Sequence, residues 1–421
     1  MTLGSEVGPR AIVPDGDGYL VAGLFSTAGG DVSALNIVRY EDKSWQALVQ
    51  VVGPNLGVPG LINDMAFGSD GALYVGGYFT GAGGVTTPNV GKLVFPATQA
   101  HIIPHPPASP EWVALGAGIE GPVYVMHPAR SGKVYAGGDF VGGFARFDTT
   151  VDDADWDYPG ALDGAAQAIV EGLEGDTNIY LGGDFTHIDG AELGHIARFT
   201  GTTFQPLGVG LNETVNAILV APDGSIYAGG FFTGTADYSE ADGTGVALAH
   251  LAKWNGTGWE DVGGGVDQGE FGYVTDLAWY EGQLVVVGSF RHAGDQEIAS
   301  LARFDGDTWT AFGAPDTFKY DSFDAPLPLA KVSIQKNGFF LAGSLPDKTI
   351  DGQLFNHVAW WNGTGWEPLG DGLNDLTETL AVAPDGRSLF IGGPFLTAGG
   401  EPSLGLAHWV YDDQSGTVIG E

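Results

Sequence analysis

The chain contains no cysteine among its 421 residues. That absence excludes disulfides, a thiolate nucleophile and any thiolate metal site. Positive charge is scarce too: 16 Lys and Arg stand against 52 Asp and Glu, for a net charge of −36. Such a surface repels nucleic acid and anionic membrane, whose binding needs clustered Lys and Arg, so neither is expected as a partner. No run approaches the ~18 apolar residues that span a bilayer, so no membrane insertion is expected. Met1 to Arg10 lacks a basic segment followed by an apolar one, so no export signal is read there. Scarce Lys with abundant acid also suits solubility in high salt, and a halophilic source is an expectation.

What is abundant is glycine, with 70 Gly beside 23 Pro and 11% aromatics. Disorder would deplete the aromatics, so many tight turns between short strands fit the composition better. One segment recurs along the chain: Gly, a variable residue, then usually Phe. It ends at Phe25, Phe79, Phe140, Phe185, Phe232, Phe290, Leu345 and Phe395. The spacing is roughly 50 residues, as expected of a repeat protein.

Residues 215–266 show the fullest unit. VNAILVAP reads as a buried inner strand A, followed by the tight turn Asp223-Gly224. SIYAGGFF is strand B, and its paired Gly lets neighbouring backbones approach closely. A long polar loop leads to strand C, LAHLAKW; the turn Asn255-Gly256-Thr257-Gly258 then leads to strand D, WEDVGGGV. One such sheet cannot bury both faces alone, so blades must pack around an axis.

The expected fold is therefore all-β: one eight-bladed β-propeller over residues 1–421, with four-stranded antiparallel blades. The last unit runs out without a W-x-x-L-G strand. Thr2-Leu3-Gly4-Ser5-Glu6-Val7 resembles Pro206-Leu207-Gly208-Val209-Gly210-Leu211, so residues 1–8 are expected to complete the last blade. Insertions are read at 96–110, 148–157, 233–248 and 313–328.

YVGGYFTGAGG (74–84) and HIARFTGTTFQPLGVGL (195–211) resemble the repeats of kelch-like and delta-60-type β-propellers. The resemblance covers nearly the whole chain and implies the propeller fold, known from cell-surface and polarity-marker proteins. It does not fix an activity, because propellers host many.

In such a ring the B–C loops and D–A connections share one face. The long, variable B–C loops make that face the expected recognition surface. Its largest loop carries Asp237, Tyr238, Glu240 and Asp242, a ring beside acids that could stack on and hydrogen-bond a sugar. The next B–C loop opens with Arg291 and His292, and the 313–328 connection adds Phe318, Lys319, Tyr320 and Phe323. These aromatics either form a partner-binding patch or fold inward. Asp139 and Asp184 follow the Gly pair in two units and read as backbone caps more readily than as cation ligands. His195, His250 and His357 share one repeat position; symmetry spreads them around the ring, so a repeated structural hydrogen bond is expected rather than a zinc site.

His101 and His105 lie in a Pro-rich insertion that forbids a helix, which argues against a metal there. Asp15-Gly16-Asp17-Gly18 starts like a calcium loop, but its twelfth position is Ser26, not a bidentate Glu. No cofactor is expected beyond an adventitious calcium or other cation. No nucleophile, zinc-protease or Walker motif is present, so no enzyme is expected.

A surface fold without an export signal suggests a virion protein on a tail tip, fibre or capsid turret. Its expected partners are host-surface glycan or protein and other virion subunits, at a virion surface or otherwise extracellular. A secreted or cell-surface adhesin is one alternative, and a polysaccharide-acting enzyme is another.

Overall fold

The computed structural model describes residues 58–95, 110–266, 272–314, 317–319, 327–335, 338–345, 348–350, 353–384, 388–399, 401–403, 405–412 and 417–420. Before residue 58 it describes the strand positions 3–4, 9–15, 18–23, 27–28, 32–33, 37–41 and 44–47. The chain divides into two compact units: Met1–Leu56 with Phe95–Glu111, and Gly57–Val94 with Trp112–Glu421.

The second unit is a propeller of seven blades. Its inner strands, blade 1 to blade 7, are Gly60–Phe67, Val123–Pro128, Ala166–Glu171, Val215–Val220, Tyr273–Tyr280, Leu329–Gln335 and Thr379–Val382. Each pairs antiparallel with a second strand that ends in the glycine motif, Gly-Gly in five blades, Val287-Gly288 in blade 5 and Ala342-Gly343 in blade 6. The first Gly of the pair faces the next blade. A Cβ on Gly229 would meet Val274 at 2.4 Å, and one on Gly182 would meet Val215 at 2.5 Å. The second Gly lies against its own inner strand, where a Cβ on Gly230 would meet the Thr214 carbonyl at 2.1 Å. The paired Gly thus permits the close approach that its sequence suggests.

Seven blades, not eight, correct the sequence expectation. The ring closes between blade 7 and blade 1. Thr379 Oγ1 donates to Asp64 Oδ1 at 3.2 Å. Phe67 meets Phe390 edge-on at 5.6 Å, and a Cβ on Gly392 would strike Met65 Cε at 2.6 Å and Ile62 Cγ2 at 2.8 Å. Those side chains fill the seam, so no further sheet fits between blades 7 and 1. The first repeat does form a four-stranded sheet, Pro9–Asp15, Gly18–Gly23, Ile37–Glu41 and Ser44–Ala47, but in the other unit. The sequence repeat counts sheets, and it cannot say which sheets join the ring.

The latch expected at the N-terminus is also corrected. Leu3–Gly4 pairs with Thr27–Ala28 inside the first unit. The outer strand of blade 7 is Thr417–Gly420, paired with Leu406–Asp412. The acidic insertion 148–157 likewise has a structural task. Asp157 bridges to Arg146 as the edge of blade 2, where only three strands otherwise form the sheet.

Two devices repeat from blade to blade. The outer-strand Trp donates its indole N–H to the preceding blade: Trp156 to Leu115 O, Trp259 to Leu207 O, Trp309 to Gly263 O and Trp366 to Phe312 O, at 2.9–3.2 Å. The residue before the third strand is left-handed in all seven blades: Asn89, Gly143, His195, His250, Ser300, His357 and Gly405, with φ from 60 to 70°. Its carbonyl accepts from the second Gly of the pair, and its N–H donates to the carbonyl of the motif's Phe or Leu. His195, His250 and His357 are therefore pins of this turn in three separate blades. His195 and His357 also bring Nδ1 to 3.3 Å from Gly183 O and Gly343 O.

Candidate functional site

The B–C loops are built on this pinned turn. Most form small hairpins, among them Gly81–Ala82 with Val85–Thr86, His187–Ile188 with Ala191–Glu192, and His292–Ala293 with Gln296–Glu297. The connection from the preceding blade bridges onto them, as in Leu162 to Ile188, Leu211 to Thr235, Val266 to Ala293 and Leu373 to Ala398. An Asp or Asn beside that bridge caps the loop. Asp163 Oδ1 accepts Thr186 N and His187 N, Asn212 Oδ1 accepts Thr233 N and Gly234 N, and Asn374 Oδ1 accepts Leu396 N and Thr397 N. The face is thus a set of fixed loops on a rigid ring.

The structure spends several predicted binding residues on this scaffold. Asp237 Oδ1 accepts Thr235 Oγ1 at 2.7 Å, and Asp242 Oδ2 accepts Ser239 Oγ at 2.8 Å, so both acids hold the loop's own turns. Tyr238 lies over Gly234, where a Cβ would meet its ring at 2.5 Å. Glu240 is exposed. Arg291 and His292 are exposed at the base of the blade 5 hairpin. Lys319 reaches the same hairpin, 2.7 Å from Glu297 Oε1. Phe318 is 2% exposed and meets Trp366 edge-on at 5.0 Å, so it is core rather than patch. Tyr320 and Phe323 lie outside the described residues, as do His101 and His105.

Of a second set, at the mouth of the ring, sequence reasoning singled out only Asp139 and Asp184. The second strand ends on this face with a motif glycine followed by x, and x occupies one equivalent position per blade: Tyr78, Asp139, Asp184, Phe231, Ser289, Ser344 and Pro394. Tyr78 is 64% exposed and Phe231 45%. Phe231 stacks on Tyr273, the first residue of the blade 5 inner strand, with centroids 4.8 Å apart. The inner strands of blades 1 to 6 carry a register shift near their start that leaves one residue out of the pairing, and at that position Asn63, Asn216 and Thr275 donate to carbonyls of the next inner strand, Val123, Val274 and Leu329. In blade 2 that residue is Tyr124, 37% exposed. Burial, and then the carboxylates of Asp139 and Asp184, push its phenol above the ordinary range. Asp184 Oδ1 caps the Ala165 amide, as expected from its sequence position, and leaves Oδ2 for another partner. Among the described residues no hydrogen bond reaches the Asp139 carboxylate. The available signal was the variable residue itself, which the motif isolates in every unit.

Deeper along the axis, three charges interrupt otherwise apolar inner strands: Asp64, Asp276 and Lys331. Lys331 Nζ lies 3.7 Å from Asp64 Oδ1. Both carboxylates also accept an amide of the next blade, Met126 N and Val332 N, each at 2.9 Å. These charges join blades.

No protein-family model matches the chain, and no curated protein does. Solved structures similar to it include two crystal structures of the extracellular domain of BT4673 from B. thetaiotaomicron. One is described as a one-component system and the other as a hybrid two-component system. Each is 12% identical with a TM-score of 0.49. The alignments cover 91% and 92% of this chain but 44% and 51% of those chains, so this chain spans about half their length. The likeness concerns fold alone, and the kelch-like type of the repeat is not confirmed by it.

Proposed function

We propose that this protein is a non-enzymatic recognition propeller whose B–C mouth binds a surface glycan. The observation that carries the reading is Tyr124 set beside Asp139 and Asp184, with exposed Tyr78 and Phe231 at the equivalent positions on either side. Aromatic faces take the apolar face of a sugar, and carboxylates accept its hydroxyls. The setting assigned to it is an outer surface, of a virion or a cell, where several copies turn weak sites into avidity. A glycan array probed with the wild type and with Asp139→Asn tests the binding. Signal lost in the variant supports the mouth, and an array with no signal removes the reading. Immunogold labelling of particles and cells tests the setting.

One observation favours a second reading. Glu378 is partly buried at the same end of blade 7, and burial, then Asp375, pushes its carboxyl above the ordinary range. Two neighbouring carboxyls, one of them shifted upward, are the kind of pair a glycosidase uses. Release of reducing ends that Glu378→Gln abolishes would establish hydrolysis. Intact chains after prolonged incubation would dismiss it.

A further inference from the structure

We infer that the ligand is an extended, uncharged oligosaccharide lying along the mouth from blade 1 to blade 5, not a single terminal sugar. This rests on the glycan reading above. The repeat places Tyr78, Asp139, Asp184 and Phe231 at one equivalent position in four successive blades, so they form a track and not a pocket. Sheets pack ~10 Å apart, so an arc over four blades runs for roughly 30 Å, several times the width of one sugar ring.

The order of chemistry along the track has a ring at each end and acids between. Tyr78 opens it as the most exposed ring of the four positions, at 64%. Asp139 and Asp184 follow, with Tyr124 beside them, as acceptors for hydroxyls. Phe231 closes it, held by its stack on Tyr273. The remaining positions are Ser289, Ser344 and Pro394, which carry neither an aromatic ring nor a charge, so the track ends near blade 5. None of the seven positions is Lys or Arg. The two carboxylates therefore disfavour sulfated or uronic chains, whose charge meets no cation at these seven positions.

The test is titration calorimetry with glucose-, mannose- and N-acetylglucosamine-based ladders, from the monosaccharide to long oligomers, beside sulfated chains of matched length. Affinity for at least one neutral ladder should climb with length and then level off, with the monosaccharide about a hundredfold weaker than the longest chains. Tyr78→Ala and Phe231→Ala should each weaken the long chains about fivefold to tenfold and bring the plateau to shorter chains. Tyr78→Phe should keep the wild-type profile, which separates stacking from misfolding. Equal affinity for monosaccharide and chain would overturn the track and leave glycan recognition standing. Tighter binding of sulfated than neutral chains would also overturn it. No binding of any ladder would remove both.

Discussion

Lys331 and Asp64 are paired although blade 7 stands between their blades: Nζ of blade 6 lies 3.7 Å from Oδ1 of blade 1. Thr379, from the intervening blade, donates to the same oxygen at 3.2 Å. Three blades thus meet on one carboxylate at the seam. Asp64, and then Asp276, hold the lysine well above its usual range. The Lys331 side chain keeps 35% of its surface open, so the charge attraction is partly screened. Asp64→Ala should cost about 2–3 kcal/mol, because it strips Lys331, Thr379 and the Met126 amide of a partner at once. Lys331→Met should cost nearer 1 kcal/mol. A raised folded value means that the lysine's share is complete below its ordinary 10.5 and fades as pH climbs through the folded value. Urea melts of both variants check the order. A difference between wild type and Lys331→Met that persists unchanged in strong alkali would contradict the ion pair.

The left-handed turn predicts different outcomes for two substitutions at one site. His195 has φ 65°. Glycine adopts that conformation freely, whereas a β-branched residue is strained there by about 1–2 kcal/mol. His195→Gly should melt within a few degrees of wild type, and His195→Val should melt clearly lower. Thermal unfolding by circular dichroism decides this. If His195→Gly melted as low as His195→Val, loss of the ring nitrogen near Gly183 O would outweigh the backbone strain.

The blade was legible because its signals are local or reach only the next unit. Asp-Gly turns act within one unit, the paired glycines and the outer Trp act between adjacent units, and the sheets appear where those signals lie. The blade number in the ring was not legible, because closure depends on whether Met65 and Ile62 fit over Gly392, a contact between distant units. The site was half legible. Loop length marked the face with the long hairpins, whereas Asp237 and Asp242 accept from Ser and Thr hydroxyls of their own loop and Phe318 is buried. Tyr124 could not be found from an apolar strand reading, since the register shift after Val123 leaves it out of the pairing.

His127 predicts an acid-sensitive blade 2. Its Nε2 is buried with no partner, and burial, then Arg130, hold the imidazole down to about 4 from an ordinary 6.5. The unfolded chain therefore takes up a proton that the folded chain refuses. Stability from this group is complete above 6.5 and drains away as pH falls towards 4, by about 3 kcal/mol in all. His127→Phe should flatten the dependence of the melting temperature on pH across that window. A wild-type curve and a variant curve that run parallel would assign the acid sensitivity elsewhere.

A chain beginning at Gly57 tests the seven-blade ring directly. The seam between Thr379–Val382 and Gly60–Phe67 is made by Thr379, Asp64, Met65, Phe67 and Phe390, none of which the deletion touches. The sheet over residues 9–47 supplies no strand to any of the seven blade sheets. The truncated chain should therefore stay folded and monodisperse, with a melting temperature within a few degrees of the full chain, because the cooperative unit keeps its inner belt of hydrogen bonds. An eight-bladed ring would respond in the opposite way: loss of one blade would open the seam, expose Met65 and Phe390 and drive aggregation. Light scattering alongside the melt separates the two, and aggregation with a fall of more than about ten degrees would restore the eighth blade.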